Sequence, residues 1–267
     1  MDKSTHSYQA PLTKKIYFAS DFHLGVPNHE KSLRREKILV HWLDEVKDSA
    51  QSIYLMGDVF DFWFEYKTVI PKGFVRLLGK LAELVDRGIA VHLFRGNHDI
   101  WAFDYLQTEV GIQLHDGKML TRFGNKLFFL AHGDGLGPGD KGYKFVKKIF
   151  RSRFNQWFFR WLHPDFGTRL ALYFSRKSRY ANNENEAKYG NPPIEEEMLY
   201  KYAARKISHQ PEIDYFIFGH RHLPTNVLIN DKARLVILGD WITHFTYAVF
   251  DGDTLELKKY DPAPDLL

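Results

Sequence analysis

Gly57-Asp58-Val59-Phe60-Asp61 closes the apolar run Ser52-Ile53-Tyr54-Leu55-Met56, and that is a place where a carboxylate can do chemistry. A strand that ends in a Gly turn fixes the side chain that follows, so Asp58 is poised to hold a partner. One Gly-Asp pair is also an ordinary turn, because Asp favours turns for backbone reasons. Four further clusters change the reading: Asp21-Phe22-His23, Gly96-Asn97-His98-Asp99, His132-Gly133-Asp134 and Gly219-His220-Arg221-His222. Each follows an apolar run and offers oxygen or imidazole ligands. A single His behind a strand is most often a satisfied turn residue, but a series of such clusters is poorly explained by chance. Divalent-metal binding is the chemistry they suit. Two cations held close together repel, and a shared carboxylate is the natural bridge, with about three further ligands on each. Asp58 as bridge, with Asp21, His23, Asn97, His132, His220 and His222, supplies both sets. Mixed imidazole and oxygen ligands suit manganese, iron or zinc better than calcium or magnesium.

The elements that must carry these groups follow from periodicity. Strands are predicted over 15–20, 52–56 and 89–94, and helices over 30–50 and 73–87, the second closed by Gly88 as its C-cap. Alternation of strand and helix predicts an α/β fold with its functional groups at the carboxyl ends of strands. Beyond it, 119–123 and 126–131 flank Gly124-Asn125 as a hairpin that delivers His132. A helix over 195–209 precedes a strand over 215–218 that ends at Gly219. The remainder, 225–260, reads as a β-meander in a second sheet, with turns at Asn230-Asp231 and Asp251-Gly252-Asp253.

Composition narrows the setting. With 267 residues and 44% apolar content the chain can bury a substantial core. It has no cysteine, which excludes disulfides and thiolate chemistry and leaves His, Asp, Asn and Glu to bind any metal. Residues 1–15 lack the apolar stretch of a signal peptide, and no run approaches the roughly 18 residues of a membrane span, so a cytoplasmic protein is expected. Residues 135–193 read as a helical insertion of different character. Between Lys141 and Arg179 the only acidic residue is Asp165, while Lys and Arg alternate with aromatics such as Phe154, Trp157, Phe158 and Trp161. Such a segment suits an anionic membrane surface or lipid, or a nucleic-acid clamp in which aromatics stack on bases. Ordinary packing of its aromatics against the core is the plainer alternative. A lid that binds lipid is the expectation carried forward.

In order, the Asp-x-His, Gly-Asp-x-x-Asp, Gly-Asn-His-Asp, His-Gly-Asp and Gly-His-x-His motifs resemble the calcineurin-like metallophosphoesterase superfamily. The resemblance covers nearly the whole chain and implies a single domain over 1–267, a four-layered α/β/β/α sandwich with a helical lid insertion. It implies that Asp21, His23, Asp58 and His222 hold one metal, and that Asp58, Asn97, His132 and His220 hold the other. His98 would stand beside the phosphate as proton donor or charge stabiliser. Asp61, Asp99 and Asp134 would orient imidazoles, or else cap turns. The implied reaction is in-line attack on phosphorus by a metal-held hydroxide. Gly57 to Trp63, and His132-Gly133-Asp134 followed by Asp140 and Tyr143, look like the UDP-2,3-diacylglucosamine hydrolase branch. That branch implies cleavage of the pyrophosphate to UMP and 2,3-diacylglucosamine 1-phosphate, use of manganese, and peripheral association with the inner membrane. Asp140, Tyr143, Ser178 and Asn182 would then contact the glucosamine or its phosphate, beside Asn97, His98 and His220. His98 departs from the Arg usual in that branch, and Arg95 and Arg221 are the candidates to supply a guanidinium, unless they pair with surface carboxylates. Two alternatives stand beside this: a phosphoesterase of the same superfamily acting on nucleic acid or a soluble nucleotide, and a non-catalytic membrane-docking module. Against the latter, buried carboxylates and imidazoles without metal would be costly to retain.

Overall fold

Apolar runs become strands and amphipathic runs become helices from Lys15 onward. The computed structural model describes residues 14–137, 141–175 and 193–266. Strands β1 (Lys15–Ala19), β2 (Ala50–Leu55), β3 (Ala90–Phe94) and β4 (Gln113–His115) run parallel. Helices α1 (His29–Val46), α2 (Val75–Asp86) and the short α3 (Tyr105–Thr108) connect them. The hairpin β5 (Lys118–Phe123) and β6 (Lys126–Ala131) opens a second sheet, which β7 (Tyr215–Phe218), β8 (Thr225–Leu228) and β9 (Arg234–Ile237) complete in the order β5-β6-β7-β9-β8. Between β6 and β7 the chain forms α4 (Lys141–Arg151), α5 (Arg153–Arg160), α6 over 164–175 and, after a 3-10 turn at Ile194–Glu196, α7 (Met198–Ile207).

The inner strands β1, β2, β3, β6, β7 and β9 are largely apolar on both faces because both faces are buried, while β5 and β8 at the edges of the second sheet expose alternate residues. Phe18, Met56 and Phe94 of the first sheet meet Phe128, Ile217 and Val236 of the second. On the outer side of the first sheet, Ala19, Ile53, Leu55 and Leu93 pack on Leu39 and Trp42 of α1 and Leu77 and Leu81 of α2. On the outer side of the second, Phe129, Phe216 and Phe218 pack on Leu199, Tyr202 and Ala203 of α7. Helix, sheet, sheet and helix thus stack as the resemblance implied. Each fully buried Phe or Leu contributes about 1.5–3 kcal/mol. Asn28 caps α1 by accepting from Lys31 N at 2.9 Å. α2 has no side-chain cap of its own; instead Glu36 of α1 reaches across, and its Oε1 accepts from Arg76 N at 2.9 Å and Leu77 N at 3.0 Å.

One expectation is overturned. The stretch 225–260 is not a meander within the second sheet: β8 and β9 belong to that sheet, but β10 (Thr246–Phe250) and β11 (Leu255–Lys259) return to the first, with β10 antiparallel to β1. Side-chain burial explains it. Trp241 is fully buried against Trp42 and Phe22, at 5.0 and 5.2 Å between rings, which draws the chain across to the first sheet. β10 then buries Ala248 and Phe250 on one face and Val249 on the other. Smaller shifts also occur. The first helix stops at Val46, and Ala50 already begins β2. The α7 helix starts at Met198 rather than 195. Among the described residues no helix is long and apolar enough to cross a membrane.

Candidate metal centre

The clustered residues all leave strands at the same end of the two sheets. Asp21 and His23 follow β1, Asp58 follows β2, Asn97 and His98 follow β3, His132 follows β6, and His220 and His222 follow β7. Backbone strain marks the same loops. Asp21, His23, Asp58, His220 and His222 have φ of 59°, 45°, 52°, 68° and 53°, a left-handed conformation that non-glycine residues adopt only when the surroundings impose it. Loop-to-loop hydrogen bonds impose it here: Asp21 N donates to Gly57 O, His23 N to Asp58 O and Gly219 N to His132 O, at 3.1, 2.9 and 2.8 Å. Gly96 is required by proximity, since a Cβ there would lie 2.1 Å from Asp58 Oδ1.

These turns converge the side chains. His222 Nε2 lies 3.3 Å from Asp21 Oδ1 and 3.1 Å from His23 Nε2, and His23 Nε2 is 3.9 Å from Asp58 Oδ2. On the other side of Asp58, His132 Nε2 lies 3.3 Å from the same Oδ2 and 3.3 Å from Asn97 Oδ1. Asp21, His23 and His222 form one group able to hold a cation, and Asp58, His132 and His220 form a second. Asp21 Oδ1 is buried and makes no well-formed hydrogen bond, its nearest partner being His222 Nε2 at 3.3 Å, and a cation would satisfy it more fully. Its partner Oδ2 accepts from His220 N at 2.9 Å, and Asp58 Oδ1 accepts from His98 N at 2.9 Å, so both carboxylates are held in place.

Electrostatics agree with a cation site. Burial pushes His23 and His220 down to about 4, which leaves neutral imidazoles with lone pairs to give. Burial works against charge on His132 too, but Asp58 overrides it and lifts His132 to about 10. Burial likewise opposes the charged form of His222, and Asp21 lifts it. For Asp58 and Asp21 burial favours the neutral acid, yet His132 holds Asp58 well below the carboxylate range and His222 brings Asp21 to about 2. The protons on His132 and His222 are the charges that cations would replace. The donor set, oxygen and imidazole with no thiolate, therefore fits divalent metal ions.

Around the ligands the carboxylates divide their work. Asp61 Oδ1 is 3.2 Å from His23 Nδ1 and so orients that imidazole, while His98 Nδ1 meets the Asp61 carbonyl at 3.0 Å. Asp99 ties backbone instead: it accepts from Val59 N at 2.8 Å and Gly96 N at 2.7 Å, stapling the loops that carry Asp58 and Asn97. Its carboxyl is lifted to about 7 by burial and by the charge on Asp58. Asp134 pairs with Lys147 of α4. Neither arginine is unengaged. Arg95 donates Nε to Ala102 O at 2.6 Å and Nη2 to Phe103 O at 3.2 Å, and it lines a cavity of about 340 Å³ with Asp116, Arg151 and Arg153 that includes none of the clustered ligands. Arg221 donates Nε to both oxygens of Glu197 at 3.1 Å, a buried carboxylate rather than a surface one. Asp140, Ser178 and Asn182 lie outside the described residues, as does the side chain of Tyr143.

Two participants were not expected from sequence. Asp240 Oδ2 stands 3.6 Å from His222 Nδ1 and accepts from His244 Nδ1 at 2.9 Å. Its signal was available: Val236-Ile237-Leu238-Gly239-Asp240 repeats the apolar run and Gly-Asp ending of the Asp58 strand. Ser175 of α6 donates Oγ–H to Asp61 Oδ2 at 2.7 Å. Nothing in its local sequence announces this.

Known proteins bear the same stamp. A model of the calcineurin-like phosphoesterase family matches residues 14–224. A UDP-2,3-diacylglucosamine hydrolase of Porphyromonas gingivalis is 41% identical over 260 residues, spanning 94% of this chain and 99% of that protein. One from Neisseria meningitidis serogroup A is 31% identical over 255 residues, spanning 92% of this chain and 100% of its own. Among solved structures, the phosphoesterase Yfce from E. coli matches with 16% identity and a TM-score of 0.45 over 92% of each chain. With the family match extending from the Asp21 and Asp58 strand ends through to the Gly-His-Arg-His turn, the chain belongs to the calcineurin-like phosphoesterase family.

Proposed function

We propose that this protein hydrolyses the pyrophosphate bond of UDP-2,3-diacylglucosamine, releasing UMP and 2,3-diacylglucosamine 1-phosphate. The observation that carries the reaction class is Asp58 Oδ2, which faces His23 on one side and His132 on the other and so joins two ligand groups through one oxygen. The substrate follows from the relatives that carry this activity in their names, at 41% and 31% identity over nearly the whole chain.

In this reading Asp21, His23, Asp58 and His222 hold one divalent cation, and Asp58, Asn97, His132 and His220 hold a second; manganese is one of the metals the donor set suits and is the one the family resemblance implies. When bound, such cations supply Lewis acidity toward phosphoryl oxygens and lower the pKa of water. The protein's own part is to place and pair. His98 commits Nδ1 to the Asp61 carbonyl, which leaves Nε2 to meet a phosphate oxygen. Asp61 holds His23 in the ring orientation that presents Nε2 to the cluster. Either leaving group, UMP or 2,3-diacylglucosamine 1-phosphate, is a weakly basic phosphate and needs little protonation. Asp140, Tyr143, Ser178 and Asn182 are assigned to the glucosamine and its phosphate on the family resemblance.

The helical insertion supplies the lipid side. Phe154, Trp157, Phe158 and Trp161 of α5 and its C-cap are exposed, at 65%, 53%, 56% and 74%, next to Arg153 and Arg160. Exposed aromatics flanked by cations suit acyl chains and an anionic headgroup layer. Hydrolysis of UDP-2,3-diacylglucosamine by manganese-loaded protein, by the same protein stripped with chelator, and of UDP-glucosamine without acyl chains tests the reading. UMP release from the acylated substrate alone, and only with metal, is expected. No release by metal-loaded protein refutes the substrate.

A further inference from the structure

One contact at the metal centre comes from outside the sandwich. Ser175 donates to Asp61 Oδ2 at 2.7 Å and its Oγ is 3.3 Å from His98 Nδ1. The other oxygen of Asp61 is the one that meets His23 Nδ1, so a single buried carboxylate stands between a lid helix and a clustered imidazole.

The reach of Ser175 is set earlier along α6. At Gly167 the helix comes so close to its neighbours that a Cβ would lie 2.7 Å from Tyr66 Oη and 3.1 Å from Phe159 of α5. Ser175 lies eight residues on, a little over two turns, so the close approach at Gly167 holds the helix over the site. The preceding lid helices are fastened to the same surface. Trp101 donates Nε1–H to Phe150 O at 2.7 Å, and Phe159 packs 4.7 Å from both Trp101 and Phe64. Trp101 follows Asn97 and His98 in one loop, so the lid is seated on the segment that carries them.

We propose that Ser175 is a positioning residue through which seating of the lid prepares the metal centre. With α6 docked, its hydroxyl fixes the Asp61 carboxylate, which in turn fixes His23, while Ser175 Oγ itself stands beside the His98 ring. Lifting α6 removes a donor from a buried carboxylate, where each hydrogen bond counts for more than in water. Seating and cation affinity are then linked: whatever closes the lid tightens the cations, and cations favour the closed lid by the same factor. This rests on the reading of His23 as a metal ligand given above.

The test measures manganese affinity by titration calorimetry on the full chain, without substrate, alongside kcat and KM with UDP-2,3-diacylglucosamine. Ser175→Ala is expected to weaken manganese binding and kcat by about 10-fold each, with KM changed by less than about 3-fold. Ser175→Thr, which keeps the hydroxyl, is expected to recover most of both. Gly167→Leu, which lifts α6 but leaves Ser175 intact, is expected to reproduce the loss, and the double variant with Ser175→Ala to be no worse than either single change. Wild-type manganese affinity in Ser175→Ala, a Thr variant no better than Ala, or additive losses in the double variant would overturn the proposal. If the wild-type enzyme binds manganese but leaves the acylated substrate intact, the substrate assignment fails while the affinity comparison still decides the role of Ser175.

Discussion

Glu36 offers the sharpest test of how the scaffold is held apart from its chemistry. Its carboxylate is 4% exposed and serves as the N-terminal cap of a helix to which it does not belong, accepting two α2 amides at 2.9 and 3.0 Å. Those amides are among the four donors every helix leaves unpaired at its start, and they lie at the positive end of the helix dipole. Glu36→Ala strands two amides at a buried helix junction. A charge-assisted hydrogen bond contributes about 1.5 kcal/mol or more, so the loss is about 3 kcal/mol. Glu36→Gln keeps one oxygen acceptor but forfeits the charge, for about 1 kcal/mol. An unfolding entropy of about 2.1 cal/mol/K per residue over 267 residues gives about 0.56 kcal/mol/K, so Glu36→Ala should lower Tm by about 5 °C. Urea titration and differential scanning calorimetry of the metal-loaded protein check both figures, with manganese stoichiometry as the control that the site survives. A loss below about 1 kcal/mol, or equal losses for Ala and Gln, would refute the cross-helix cap as a source of stability.

Asp99→Ala is expected to weaken manganese binding by about 10-fold in calorimetry, because the staple between Val59 N and Gly96 N sets the spacing of the loops bearing Asp58 and Asn97; unchanged affinity would refute that spacing role. His92 stacks on Tyr54 at 4.1 Å, its Nδ1 is 2.9 Å from His115 Nε2, and burial followed by His115 holds it at about 4. The unfolded chain takes up that proton near pH 6.5, so stability falls as pH drops from about 6.5 toward 4. His92→Phe should flatten the pH dependence of the urea midpoint relative to wild type, and parallel curves would refute it.

Much of the site was legible because it is written in strand ends. An apolar run followed by Gly-Asp, Asn-His or His-Gly states both where a strand stops and what it presents, as at Asp58, Asn97 and His132. Asp240 carries the same signature, yet it was absorbed into an expected meander, because alternation alone does not say which of two sheets a strand joins. Membership was decided at long range by Trp241 wedging against Trp42 and Phe22. Ser175 was invisible for a different reason. Its partner Asp61 is 114 residues away, and a serine on a helix has no pattern of its own. Arg95 marks a further limit: a cation beside Gly96-Asn97-His98 reads as a substrate contact, and nothing in its sequence shows that its guanidinium also fastens the carbonyls of Ala102 and Phe103.

The pairing of Asp21 and His23 with His220 and His222 joins groups 199 residues apart. A chain emerging from the ribosome presents its first ligands early, and the imidazoles that complete their cluster only after most of the protein has been made. Later still in the chain come Trp241 and β10, which closes beside β1. Cation capture is therefore a late event in biogenesis, and a polypeptide interrupted before Gly219 carries Asp58 and His132 but neither imidazole of the Gly-His-Arg-His turn. A product truncated before Gly219 is consequently expected to be inert rather than partly active, because each ligand group then lacks an imidazole.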